Sequence, residues 1–129
     1  MTVGLASATA TALVATFGGT AYTAPALIAL KLHTADPGAA GVTAAAVADT
    51  TRKTVTFGAA ATGGIAMTSM SGLWTNGGTT ETLTHVSGWD SVTAGVFRLS
   101  GVLTAPQSWA ATNTFSITAF SISFAPIAA

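Results

Sequence analysis

Short runs in which apolar side chains alternate with small or hydroxylated ones recur along most of this chain. Each run is closed off by glycine, proline or an Asn-Gly pair. A period of two sends successive side chains to opposite faces of a strand. In 26–33, Ile28, Leu30 and Leu32 face one way, and Leu27, Ala29, Lys31 and His33 the other. In 52–58, Val55 and Phe57 oppose Thr54 and Thr56. In 65–74, Ile65, Met67 and Ser69 oppose Ala66, Thr68 and Met70. In 81–89, Leu83, His85 and Ser87 oppose Thr84 and Val86. Residues 96–103 set Phe97, Leu99 and Leu103 against Val96, Arg98, Ser100 and Val102, and Pro106 is expected to end that strand. In 114–124, Phe115 and Ile117 share one parity and Phe120, Ile122 and Phe124 the other. A β-bulge at Thr118-Ala119 would keep all five on the core side.

Asp36-Pro37-Gly38 reads as a turn, with Pro37 pre-setting its own φ and Gly38 free to take a positive one. Asn76-Gly77-Gly78 reads as a second, and Ala61 to Gly64 as a third. Residues 39–50 carry no period and allow a surface loop or a short helix over 44–48. Ahead of the strands, 3–17 is rich in alanine and repeats Leu5, Thr9, Leu13 and Phe17 at spacing four, which predicts a helix stopped by Gly18-Gly19. The expected architecture is mainly β: an antiparallel, jelly-roll-like β-sandwich over 26–124 with one N-terminal α-helix within 1–19. A length of 129 residues fits a single domain, 1–129. No fixed repeat supports a solenoid or propeller.

Charge narrows the possible functions. Only 6 % of residues are charged, against roughly 25 % in an average soluble domain. None lies in the first 30 residues and none follows Arg98. Half of the residues are apolar, which excludes a disordered chain. Four Lys and Arg cannot form the basic stripe that nucleic acid requires. Without cysteine there is no disulfide, no thiolate metal site and no cysteine nucleophile. Thr9, Thr11, Thr16, Gly18, Gly19 and Pro25 interrupt the uncharged N-terminal stretch, so no membrane span and no secretory signal is expected. A surface built from threonine and serine, with so few charges, suits a subunit covered by neighbours in an ordered assembly.

Catalytic candidates are sparse. His33 and His85 fall on the less apolar strand faces and read as solvent-facing or interface residues. Neither has a metal-motif spacing to Asp36, Asp49 or Asp90. A hydrolytic set of Ser87, His85 and Asp90 would crowd three groups into one strand and turn, with no nucleophile elbow. Glu81 and Asp90 are the available carboxylate pair. Asp36 reads as a turn residue, and Asp49 as part of a solvated cluster with Arg52 and Lys53. Gly18-Gly19 and Gly63-Gly64 lack phosphate-loop context. Trp74, Trp89, Trp109 and Tyr22 could stack on sugars, or fill a core or interface. No catalytic, metal or cofactor-binding residue is assigned.

One stretch is more specific. Leu32-His33-Thr34-Ala35-Asp36-Pro37-Gly38 resembles the Leu-His-Thr-x-Asp-Pro-Gly signature of small virion proteins from bacteriophages of actinobacteria, commonly labelled tail fibre, minor tail or structural proteins. Arg52 to Ala61 looks like that family's Arg-x-x-Val-Thr-Phe-x-Ala segment, and Thr84 to Asp90 like its Thr-His-Val-Gly-Leu-Trp-Asp strand. Thr114 to Ile117 resembles its final Thr-Phe-x-Ile strand. The segment between Gly38 and Arg52 and the pair Ser87-Gly88 depart from the pattern. The resemblance implies a non-enzymatic structural protein of the virion, assembled in the host cytoplasm without cofactors. It would form a symmetric homo-oligomer, a trimer among the forms open, beside other virion proteins and without contact to nucleic acid or membrane. Head decoration and binding of host-surface carbohydrate stay open as alternatives to a tail position. The helix and Ala125-Pro126-Ile127 are candidate partner contacts, being uncharged and terminal.

Overall fold

The computed structural model describes residues 3–124. The mainly β, antiparallel fold with one helix near the N-terminus holds. The elements run β1 (Gly4–Leu5), α1 (Ser7–Ala15) continued by a 3-10 turn (Thr16–Gly18), β2 (Ile28–His33), β3 (Lys53–Phe57), β4 (Gly64–Met70), β5 (Trp74–Thr75), β6 (Glu81–Trp89), β7 (Phe97–Trp109), β8 (Thr114–Phe115) and β9 (Ser121–Ser123). Seven strands form one sheet in the order β1-β7-β6-β2-β3-β4-β9, and β5 pairs with β8 separately. The sheet curls, so that β1 and β7 at one end face 119–124 at the other across a groove.

β2 is the central strand, and its composition explains why. Ala29, Leu30, Leu32 and His33 are all fully buried, so both of its faces are covered. Leu30 and Leu32 join Ala46, Val55, Trp74, Leu83, Val86 and Trp109 in the core, with Phe57, Met67, Phe115, Ile117 and Phe120 packed around them. On the opposite face β2 and β6 meet in register: Ala29 opposite Trp89, Lys31 opposite Ser87, His33 opposite His85. The two most specific sequence motifs are thus hydrogen-bonded neighbours.

Several expectations are corrected. The helix is shorter than 3–17, because Gly4 and Leu5 pair with Ser100 and Leu99 as an edge strand. Of the spacing-four set, Thr9 is buried but Phe17 is 94 % exposed. Residues 39–50 form turns and loop with no helix over 44–48. The run 65–74 breaks after Met70, and Trp74 joins a separate strand pair. Pro106 does not end β7. His85 sits opposite Val102 while Leu83 sits opposite Gln107, so β7 carries extra residues there. Pro106 lies in that bulge, where its missing N–H removes no ladder bond.

The parity change in 114–124 is produced by a break rather than a bulge. β8 pairs with β5 and β9 with β4, and the segment between them bends at Thr118. Phe115, Ile117, Phe120 and Ile122 remain half-buried, whereas Phe124 is exposed. The turn over 36–38 forms as read: the Asp36 carboxylate accepts from the Gly38 N–H at 2.9 Å, and Gly38 has φ 71°.

Candidate functional site

The sheet face opposite the core carries a buried polar chain. His33 Nδ1 lies 2.8 Å from the Thr43 carbonyl, and His33 Nε2 lies 2.7 Å from Ser87 Oγ. A carbonyl only accepts, so Nδ1 holds the proton and Nε2 accepts from the Ser87 hydroxyl. The Trp89 indole N–H donates to the same Oγ at 2.8 Å. The order is therefore Trp89 to Ser87 to His33 to Thr43, with every proton placed. Burial holds the His33 imidazole below its ordinary pKa, against the opposing effect of the Thr43 hydrogen bond; the Lys31 charge lowers it further. His33 is neutral in the fold. It is a buried latch between β2, β6 and the 34–52 loop, not the solvent-facing residue expected from its strand face.

Around the latch, the Arg52 guanidinium sits 4.0 Å over the Trp89 ring and donates to the Ser91 and Ala94 carbonyls of the β6–β7 turn. Asp90 accepts from Arg98 through Nε at 3.0 Å and Nη2 at 2.6 Å, and from the Val96 N–H at 2.7 Å. The Val96 hydrogen bond, with Arg98, outweighs burial and lowers the Asp90 pKa.

The hydrolytic set does not form. Ser87 engages His33, Asp90 engages Arg98, and His85 Nδ1 pairs with the Thr84 hydroxyl at 2.7 Å. Glu81 and Asp90 stand at opposite ends of β6, roughly 30 Å apart at about 3.3 Å per residue, so no carboxylate pair exists. Glu81 instead clamps a loop: Oε1 accepts from the Val47 N–H at 2.9 Å and Oε2 from the Ala48 N–H at 3.0 Å. Asp49 is likewise built in rather than solvated. It accepts from the Thr51 N–H and hydroxyl and from the Thr75 N–H. These bonds overcome the effect of burial and lower its pKa. Among the described residues, no three His, Cys, Asp or Glu gather as metal ligands. No helix among them is long and apolar enough to cross a membrane.

The tryptophans form no sugar platform. Trp74, Trp89 and Trp109 are all buried, and the indole N–H groups of Trp74 and Trp109 donate to the Thr51 and Asn113 carbonyls. Sequence reasoning missed the His33–Ser87 contact, although both residues lie inside the quoted motifs. It also missed Asn76, which is buried and bonds both Thr79 and Trp109 carbonyls.

The polar side chains are thus largely committed to holding the fold, and apolar and hydroxyl groups are left to meet the outside. The groove between the sheet ends has cavities of about 380 Å³ and about 480 Å³. No charged residue lines either one. Val14, Phe17, Val42 and Val47 are exposed apolar side chains elsewhere, and Val102 and Phe124, also exposed, line the groove.

A mainly β subunit whose four carboxylates are all engaged by its own backbone or by Arg98 fits the class of structural proteins. The family comparison narrows the class: a model described as podophage GP4 fiber I protein gp80 matches residues 4–125. The chain belongs to this family of phage fibre proteins, and with it to the virion-associated structural proteins of the phage tail. No curated protein matches it.

Proposed function

We propose that this chain is a non-enzymatic subunit of a phage tail fibre that associates with copies of itself and with neighbouring virion proteins. The fibre family favours the tail over head decoration. The observation that carries the reading is the exposed apolar surface at the uncharged N-terminal end. Phe17 is 94 % exposed and Val14 67 % exposed on a helix without a single charge. An isolated subunit gains nothing from a phenylalanine in water. In an interface that ring supplies about 2 kcal/mol of burial. Threonine and serine hydroxyls supply hydrogen bonds without the desolvation cost of charges.

Sedimentation velocity tests it. The expected result is a discrete multimer at micromolar concentration, shifted to smaller species by Phe17→Ser. A monodisperse monomer across the concentration range overturns the reading.

A further inference from the structure

Asn76-Gly77 is the one Asn-Gly pair in the chain, the other asparagine being Asn113, before Thr114. In a flexible chain an asparagine before glycine loses ammonia readily, because no side chain shields the glycine nitrogen. The Gly77 nitrogen attacks Asn76 Cγ and a C–N bond forms. The side-chain nitrogen leaves as ammonia with the proton given up by Gly77. Water then opens the five-membered imide to aspartate or isoaspartate.

The fold opposes each requirement of that reaction. Asn76 Nδ2 donates at 2.7 Å to both the Thr79 and the Trp109 carbonyls, and Oδ1 accepts from the Gly78 N–H at 2.8 Å. The side chain is fixed and 2 % exposed. The Asn76 backbone is tied on both sides, its N–H to the Asn113 carbonyl and its own carbonyl to the Thr112 N–H. The attacking nitrogen is engaged elsewhere, since Gly77 N–H donates to the Ala48 carbonyl at 3.0 Å. Ala48 in turn is held by Glu81.

We infer that Asn76-Gly77 is a deamidation site that folding closes and the Glu81 clamp keeps shut. The reaction then records chains that have lost, or never reached, the native state. It is also one-way. A carboxylate at 76 would face the Thr79 and Trp109 carbonyls with no proton to give either. The buried site would lose two donated hydrogen bonds and gain an unpaired charge.

The test uses the full chain in mildly alkaline buffer, native and in guanidinium, with deamidation at 76 and 113 mapped by mass spectrometry. In guanidinium Asn76 is expected to react well ahead of Asn113. In the native protein its rate is expected to fall by more than about 10-fold, as local closure dictates. Glu81→Gln, confirmed as folded by near-ultraviolet circular dichroism, should raise the native rate severalfold. Should that variant fail to fold, the wild type gives a second readout: across sub-denaturing guanidinium, Asn76 loss should rise in step with Gly77 amide exchange. Equal native and denatured rates, or a native rate indifferent to Gly77 opening, would overturn the inference.

Discussion

Ser87 Oγ stands 2.7 Å from His33 Nε2 and accepts from Trp89 Nε1 at 2.8 Å, so one hydroxyl closes a buried chain between residues 54 positions apart. The arrangement resembles an activated serine only on paper. The hydroxyl has no exposed surface, and the imidazole is oriented by a backbone carbonyl rather than a carboxylate. Its work is to tie the 34–52 loop and two central strands together.

Removing that hydroxyl should therefore cost stability. Ser87→Ala leaves the Trp89 N–H and His33 Nε2 unpaired in a dry site, at about 1–3 kcal/mol for each stranded group. Chemical denaturation is expected to show a lower midpoint with unchanged slope. An unchanged midpoint would remove the latch.

The same latch predicts an acid response at unusually mild pH. His33 has a pKa below its ordinary 6.5 in the fold, so the folded state disfavours protonation. Its stabilising contribution is complete above 6.5 and is lost as pH falls from there through the folded value. Asp49 and Asp90, held below 3.8, keep their contributions until more acid conditions. Thermal midpoints should begin to fall just under pH 6.5, and His33→Gln should flatten that first step while lowering the plateau. A wild-type profile level down to the carboxylate range would contradict the neutral imidazole.

Gly41 tests the packing beneath the latch. It has φ 72°, and a Cβ there would lie 2.3 Å from Phe97 Cδ2. The Phe97 ring sits 5.5 Å from that of Trp89. Gly41→Ala should destabilise by about 1–3 kcal/mol through backbone strain and overpacking, with a change in tryptophan fluorescence. Neutral behaviour would mean that the loop repacks freely.

Phe17 separates folding from assembly. At 94 % exposure, its replacement by serine should move the folding midpoint by less than about 0.5 kcal/mol while weakening self-association. Loss of folding in that variant would place the ring in the fold rather than at a contact.

Much of the sheet was legible because period two is a local signal. The bounds of β2, β3 and β6 fall within a residue or two of the alternating runs, and the Asp36 turn follows from its own three residues. In β6, however, the register shift between Leu83 and His85 puts Leu83 with Val86 in the core and leaves His85 and Ser87 on the other face. The misses have non-local causes. Gly4 and Leu5 are too few to show a pattern and are strand only because Ser100 and Leu99 lie beside them. Pro106 ends a regular strand but not a bulged one, and the bulge is set by the β6 register. Polarity assigned His33 to a wet face, whereas its partners arrive from Thr43 and Ser87. The carboxylates misled in the same way. Glu81 and Asp90 offered catalytic chemistry by type, yet Glu81 accepts from amides 34 and 33 positions away, and Asp90 from the Val96 amide of its own turn and from Arg98.

The pairing of β1 with β7 has a consequence for biosynthesis. Gly4 meets Ser100, 96 positions later, and Ala6 N–H reaches the Arg98 carbonyl. A nascent chain leaving the ribosome thus carries the uncharged segment over 4–6 without a seat until the first residues of β7, Arg98 to Ser100, have been translated. Throughout that interval a segment without any ionised side chain is exposed to chaperones and to other nascent copies on the same message. Self-association of the kind proposed would then be in kinetic competition with docking onto its own sheet.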